Sequence, residues 1–272
     1  MNKEFQSPNL ESKTIEELTV QLLETHSKLQ LLQKERQMML VNTSHDLRAP
    51  ITAIRSAIDL ALTNALSEED LRKTLSIIDK RTAVLEDLIN DMYYLFCVED
   101  TSRPLNIQTV DACTFLEEYF YNATIDSRYD AFDMQLDVPT DLNCTINIEP
   151  QKIVRVLDNL MTNSAKYAGE KASYIRLSAI IYKDDTTHSD CQLIISVSDD
   201  GCGIAPEALP HIFSRTYTVS NARTPGASSG SGLGLSIAKA IIERHGGTIN
   251  AESTLGQGAT FTVSLPCFCS RS

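Results

Sequence analysis

No stretch of the 272-residue chain strings 18 apolar residues together, so no segment reads as a membrane-spanning helix. Basic residues are the minority: 24 Lys and Arg stand against 36 Asp and Glu, a formal charge of −12. Neither a basic patch nor a basic tail emerges, which argues against nucleic acid or anionic lipid as the main partner. The seven cysteines, Cys97, Cys113, Cys144, Cys191, Cys202, Cys267 and Cys269, contain no Cys-x-x-Cys pair. Nothing at the amino end reads as a secretory signal, so reduced thiols in a cytosol are expected. Cys267-Phe-Cys269 is a metal-type spacing, yet a Cys-x-Cys at a tail reads as incidental. What is present is ordinary for a soluble globular protein: 42% apolar and 22% charged residues, in a length that suits one or two domains.

The amino-terminal residues 1–12 are polar and are expected to be poorly ordered. From Thr14, Ile15, Leu18, Leu22, Leu29, Leu32 and Met39 fall on heptad a/d positions, with Thr25 and Arg36 as polar exceptions. That seam predicts a coiled-coil helix, or an amphipathic helix packed on its own domain. The helix should continue through His45, bend after Pro50, and stop near Asn64-Ala65-Leu66. Ser67-Glu-Glu-Asp70 is a capping start for a second helix reaching about Cys97. Two long helices with a short turn make an antiparallel hairpin that buries one stripe, so pairing into a four-helix bundle would complete it. The polar break Glu99–Pro104 marks a change to mixed α and β structure. Strands are expected at 105–110, 132–138, 144–148, 174–182 and 192–198, with helices at 111–125 and 150–167. A mobile loop at 205–231 precedes a helix at 231–245, and 248–253 with 260–265 form a closing hairpin around Gly256-Gln-Gly258. The division is 1–35 tail and coil, 36–100 hairpin, 101–104 linker, 105–266 second domain and 267–272 tail.

Chemistry concentrates in four places. His45 sits beside Asp46; a neighbouring carboxylate can hold one ring proton and leave the other nitrogen free to attack. Asn159, Asn163, Lys166 and Tyr167 are spaced to share one helix face, offering amide oxygens for Mg²⁺, an ammonium for phosphate and a ring to stack on a base. Asp199-Asp-Gly201-Cys-Gly203 ends an apolar strand, where a carboxylate can accept from an exocyclic amine and glycines admit a ligand to the backbone. An Asp-Gly hairpin connector is the plainer reading of that stretch. Gly230-Ser-Gly232-Leu233-Gly234-Leu235 leads into a helix and suits a phosphate cradle.

In this order the motifs resemble the cytoplasmic core of a bacterial sensor histidine kinase. The resemblance covers about residues 36–266: Ser44 to Pro50 matches the H box, Asn159 to Tyr167 the N box, Asp199 to Gly203 the first G box, Phe213 the F box, and Gly230 to Leu235 the second G box. Gly256 to Phe261 matches the family's terminal hairpin. It implies an α plus α/β architecture: a dimeric antiparallel helical hairpin forming a four-helix bundle, followed by a Bergerat-type α/β sandwich that binds ATP. By resemblance His45 is the phosphoacceptor, oriented and deprotonated by Asp46. Asn163 would hold Mg²⁺ with help from Asn159, Lys166 would contact phosphate, Tyr167 would lie against adenine and Asp199 would accept its amino group. Gly201 and Gly203 would line the base pocket; Gly230, Gly232, Leu233 and Gly234 would close the triphosphate side. Arg215 would stabilise the γ-phosphoryl charge in flight. The implied partners are a second copy of the chain and a response regulator whose aspartate takes the phosphoryl group. The implied location is the cytoplasm, either as a soluble kinase or as the cytosolic part of a membrane-bound sensor.

Two positions depart from the family. Ala49 stands four residues after the histidine, where a Thr or Asn often positions water for dephosphorylating the regulator. Thr216 stands where the F box usually has Phe, which puts lid packing and the role of Arg215 in doubt. Two other readings stay open on sequence alone: a kinase-like scaffold that binds ATP without transfer, and an ATPase of the same fold that drives a clamp.

Overall fold

The computed structural model describes residues 9–63, 66–100, 102–140, 142–169, 172–183, 191–214 and 232–269. Helix α1 (Asn9–Thr63) is one 55-residue helix; it starts within the stretch expected to lack order, and it continues helically through Pro50 to Thr63. Helix α2 (Glu68–Glu99) opens as anticipated, with the Ser67 hydroxyl accepting from the Asp70 N–H at 3.1 Å. Glu68, Glu69 and Asp70 fill its first turn, where the helix dipole favours negative charge. The two helices pack side by side as a hairpin.

Beyond the hairpin come β1 (Gln108–Asp111), α3 (Ala112–Thr124), β2 (Asp133–Asp137), β3 (Cys144–Ile148), α4 (Pro150–Lys166), β4 (Tyr174–Lys183), β5 (Cys191–Asp199), α5 (Gly234–Arg244), β6 (Thr248–Ser253) and β7 (Ala259–Cys269). The strands form one seven-stranded sheet in the order β1-β3-β7-β5-β4-β2, with β6 added to β7. Only β2 and β4 run parallel; the other pairs are antiparallel. Strand β7 is the spine. Along one side it pairs with β5 over its first nine residues; along the other it pairs with β6 and then, at Cys267–Cys269, with β3.

One face of the sheet is covered. Leu193, Ile195 and Val197 of β5 alternate inward with Phe261, Val263 and Leu265 of β7, as the two-residue period of a strand requires. Ile153, Val156, Leu157, Leu160 and Met161 of α4 and Ile237, Ile241 and Ile242 of α5 pack onto them. The apolar residues Ile153, Val156, Leu157, Leu160 and Met161 recur at helical spacing in the sequence and are the buried face of α4, which Ser164 extends by one polar residue. Three boundaries moved: β1 begins three residues later than anticipated, α5 begins at Gly234, and β7 runs to Cys269, into what was read as a tail. That last extension follows from β3, which gives the end of β7 a hydrogen-bonding partner.

The hairpin is not a separate rod. Leu95 and Val98 near the end of α2 are buried in the same core as α4 and α5. Arg244 donates to the Val98 carbonyl at 2.9 Å, and Arg155 donates to the Asp91 carboxylate. Tyr94 lies between, with the Lys152 ammonium 5.3 Å and the Arg155 guanidinium 5.9 Å from its ring centre. Truncating Leu95 to Ala should therefore lower stability by about 2–5 kcal/mol, as for other buried leucines, whereas Phe96→Ala, half exposed on the next position, should cost well under half of that. Equal effects in a denaturant titration would mean that α2 does not share the core.

Candidate functional site

The nucleotide-type motifs converge at one end of the sheet, where α4 ends, β5 ends and α5 begins. Asn159 donates its side-chain N–H to the Gly234 carbonyl at 3.0 Å, so the first residue of the N-box cluster touches the start of α5 directly. Asn163 and Lys166 follow on the same side of α4 and are partly buried. Tyr167 caps the helix, with its N–H on the Asn163 carbonyl at 3.0 Å, and the residue is 42% exposed. The Lys166 ammonium lies 5.1 Å from the Tyr167 ring centre. Burial pushes the Lys166 pKa down and the Tyr167 pKa up, with Cys202 adding to the latter. A lysine held back from water in this way gains most from an arriving anion.

Asp199 is buried at the last position of β5, and its carboxylate accepts the Gly201 N–H at 3.0 Å. The loop after it is gripped from two sides. Cys202 donates its N–H, at 3.4 Å, and its thiol, at 3.0 Å, to the Tyr167 carbonyl at the end of α4. From the β6–β7 turn, the Gly256 N–H donates to the Cys202 carbonyl at 2.8 Å, and the Ser253 hydroxyl accepts the Ile204 N–H at 2.8 Å. Ser253 then donates to the Gly258 carbonyl at 2.6 Å. Gly203 has φ +68°, and a Cβ there would run into the Thr254 carbonyl; Gly258 has φ +91° and lies as close against the Asp199 carbonyl. Asp200 turns away from Asp199. Burial pushes its carboxyl up, but hydrogen bonds from Ser173 and Tyr174 outweigh this and hold it below the usual range.

Gly232 (φ +65°), Leu233 and Gly234 stand at the mouth of α5, with Leu233 buried. Gly230, Arg215, Thr216 and most of the 205–231 loop lie outside the described residues; Phe213 is packed against the core. Asn159, Asn163, Lys166, Tyr167, Asp199, Gly201, Gly203, Gly232, Leu233 and Gly234 therefore gather at one end of the sheet. His45 and Asp46 are on α1. The His45 side chain is 67% exposed, with Nδ1 3.4 Å from Asp46 Oδ1. Thr43 and Pro50 on either side are buried. Sequence reasoning missed Ser253, Ser173 and the Arg155–Asp91 contact. Each is a single residue whose partner is distant in the chain, so no local spacing points to it.

An exposed histidine beside a carboxylate on a helical hairpin, joined to a sheet that gathers amides, a lysine and a buried aspartate around glycine backbone, defines a two-part phosphoacceptor and nucleotide-binding protein. Residues 35–100 match the His Kinase A (phospho-acceptor) domain, and residues 148–268 match the histidine kinase-, DNA gyrase B- and HSP90-like ATPase family. The chain belongs to the bacterial histidine kinases and carries their catalytic core. The sensor protein kinase WalK of Staphylococcus saprophyticus is 32% identical over 240 residues, covering 88% of this chain and 38% of that protein. WalK of Staphylococcus aureus is 31% identical over 240 residues, covering 88% and 55%. The chain thus spans less than two thirds of either relative. Among solved structures, the histidine kinase ThkA in complex with the response regulator protein TrrA aligns with TM-score 0.64 at 24% identity, over 84% of this chain and 60% of that one. Full-length ShkA in complex with AMPPNP aligns with TM-score 0.59 at 22% identity, over 87% and 47%. Both show the shared fold.

The glycine geometry yields a paired test. Gly203→Ala combines a left-handed φ with a backbone collision, while Gly256→Ala, at φ +82°, meets nothing within 4 Å. Gly256→Ala should cost about 1 kcal/mol and Gly203→Ala clearly more, about 3 kcal/mol or above, in urea unfolding. Equal costs would show that the loop is not clamped against Thr254.

Proposed function

We propose that this chain transfers the γ-phosphoryl group of ATP to His45 and then passes it to an aspartate of a response regulator. The observation that carries this reading is the pairing of an open His45, its Nδ1 facing Asp46, with a separate buried-aspartate pocket in the same chain. With Nδ1 turned to the carboxylate, Nε2 is the nitrogen left to attack phosphorus. The new N–P bond forms as the bond to the β-γ bridging oxygen breaks and ADP leaves, and Asp46 stabilises the proton that stays on Nδ1. Asp199 accepts the adenine amino group, Tyr167 covers the base, and Gly201 and Gly203 let it approach the backbone. Lys166 neutralises phosphate, and the backbone at Gly232, Leu233 and Gly234 closes the triphosphate side.

The residues present suit a magnesium ion carried by the nucleotide. Among the described residues no group of three or more His, Cys, Asp and Glu is arranged to hold a metal alone, and Asn159 spends its amide nitrogen, not its oxygen, on Gly234. Hard amide oxygens from Asn163 and Asn159 would hold such an ion with phosphate oxygens completing the shell. When bound it supplies charge neutralisation across the β- and γ-phosphates.

Leu22, Leu29, Leu62, Leu71 and Leu75 are exposed along the hairpin, which supports association of two copies through it. Among the described residues no helix is long and apolar enough to cross a membrane, which fits action on the cytoplasmic side.

Incubation with γ-labelled ATP should give an acid-labile, alkali-stable label that is lost in His45→Gln while nucleotide affinity is kept. Asp199→Asn should lose nucleotide affinity by at least about tenfold, the scale of one charge-assisted hydrogen bond. Label that persists in His45→Gln, or steady ATP turnover independent of His45, would favour the clamp ATPase; binding without label would favour the scaffold. Ala49 offers no group to place water, so dephosphorylation of the regulator should be slow. Ala49→Thr should accelerate it without changing autophosphorylation.

A further inference from the structure

The strand register brings together four cysteines that are scattered in the chain. Cys144 of β3 stands opposite Cys269 of β7, and Cys191 of β5 stands opposite Cys267. Cross-strand partners share a face, and so do residues two apart on one strand, so all four thiols project from the same side of three adjacent strands. The register places them in a row, Cys144 beside Cys269 and Cys191 beside Cys267, with Cys267 and Cys269 two residues apart on β7. All are free thiols; Cys144 and Cys267 are buried, while Cys191 and Cys269 are partly open to solvent. The row does not converge on a point, and among the described residues no such group could hold a metal ion.

The position is distinct from the nucleotide pocket. Cys191 begins β5 and Asp199 ends it. Eight residue steps of strand separate them, about 26 Å. Nothing in phosphoryl transfer uses this end of the sheet.

We propose that this four-cysteine patch is a reversible oxidation site, at which a small hydroperoxide closes one or two disulfides between β7 and its neighbours β3 and β5. Directly opposed residues on antiparallel strands have Cα atoms about 4.5–5.5 Å apart, inside the usual disulfide span. Cys269 is the entry thiol. It is partly open to solvent; burial and Cys191 raise its pKa, while Cys267 and the Lys183 charge pull the other way. Burial pushes Cys144 up to about 11 and raises Cys267 as well, so neither is the entry thiol; each serves as a resolving partner that gives up its proton to the departing hydroxide as the S–S bond forms. The Cys269 thiolate attacks the peroxide oxygen, giving a sulfenic acid and releasing the alcohol or water. A neighbouring thiol then attacks the sulfenic sulfur, an S–S bond forms, and water leaves. Two thiols and one hydroperoxide thus become one disulfide, one water and one alcohol or second water. A thiol reductant reverses the change, as a cytosolic redox site requires.

The test is thiol mapping on the intact chain. Protein is treated with a small molar excess of hydrogen peroxide, remaining thiols are alkylated, and peptides are analysed by mass spectrometry before and after reduction. Cross-linked peptides joining Cys144 or Cys191 to Cys267 or Cys269 are expected, each lighter by two hydrogens, with Cys97, Cys113 and Cys202 still alkylated. The oxidised protein should unfold several degrees higher than the reduced form, because the bridges close long loops. Cys269→Ala should slow bridge formation at least about tenfold, and an unchanged rate would overturn its place as the entry thiol; Cys191→Ala, also partly open, should leave the β3–β7 bridge intact. Four thiols that stay free, oxidation that stops at single sulfinic acids, or disulfides that form only at Cys97, Cys113 or Cys202 would each overturn the proposal. Because the readout is thiol chemistry, it stands apart from the phosphotransfer assays.

Discussion

The nucleotide end of this protein depends on three backbone segments approaching closer than side chains would permit. The loop after Asp199 is pinned on one side by the carbonyl that ends α4 and on the other by the β6–β7 turn. At Gly203 and Gly258 the opposing carbonyl occupies the place where a Cβ would stand. The glycines are thus explained twice, once by positive φ and once by contact, and either alone would fix the residue type. What the clamp accomplishes is placement: Asp199 is held buried, with one oxygen committed to the Gly201 N–H, in a rotamer that a freer loop would not maintain.

A second constraint ties the phosphoacceptor helix pair to that pocket. The last turns of α2 belong to two structures at once, the hairpin and the core under α5. Around them the contacts are polar: Arg155 on the buried Asp91, two cations against the Tyr94 ring, and Arg244 on a helix-end carbonyl. The Arg155–Asp91 pair is open on the arginine side but buried at Asp91, so desolvation offsets much of its attraction, whereas buried Leu95 and Val98 contribute by apolar burial. The joint therefore has an apolar pivot and a polar rim. The end of the hairpin is thereby fixed against the sheet domain by buried side chains first and by polar contacts second.

Much of this was legible in the chain itself. The cap at Ser67, the apolar face of α4, the closing hairpin around Gly256 and the gathering of the N-box and G-box residues are local patterns, each written in a few consecutive turns or in alternation. The features that escaped are those in which the partners lie far apart in sequence. Cys267-Phe-Cys269 looked incidental because its neighbours, Cys144 and Cys191, are supplied by strands more than 70 residues away, and only the β3-β7-β5 order unites them. Likewise β7 looked shorter than it is because its final residues are strand only through pairing with β3. The Arg155–Asp91 contact joins two helices whose own periodicities say nothing about each other. Gly230, Arg215 and the departure at Thr216 lie outside the described residues, so their roles rest on resemblance.

The placement of His45 follows from helix geometry rather than from any special feature of the imidazole. Thr43 and Pro50 are seven residues apart, so they share one side of α1, and both are buried. His45 is two residues beyond Thr43, about 200° around the helix, and so points away from that side. The packing that forms the hairpin thereby turns the histidine outward, while the adjacent Asp46, mostly covered, is left at the edge to meet Nδ1. Moving the histidine by one position in either direction would keep the helix and lose this arrangement, since each step rotates the side chain by about 100°. The imidazole is thus presented to solvent by the same apolar pattern that folds the hairpin, and further apolar residues along α1 and α2 stay exposed.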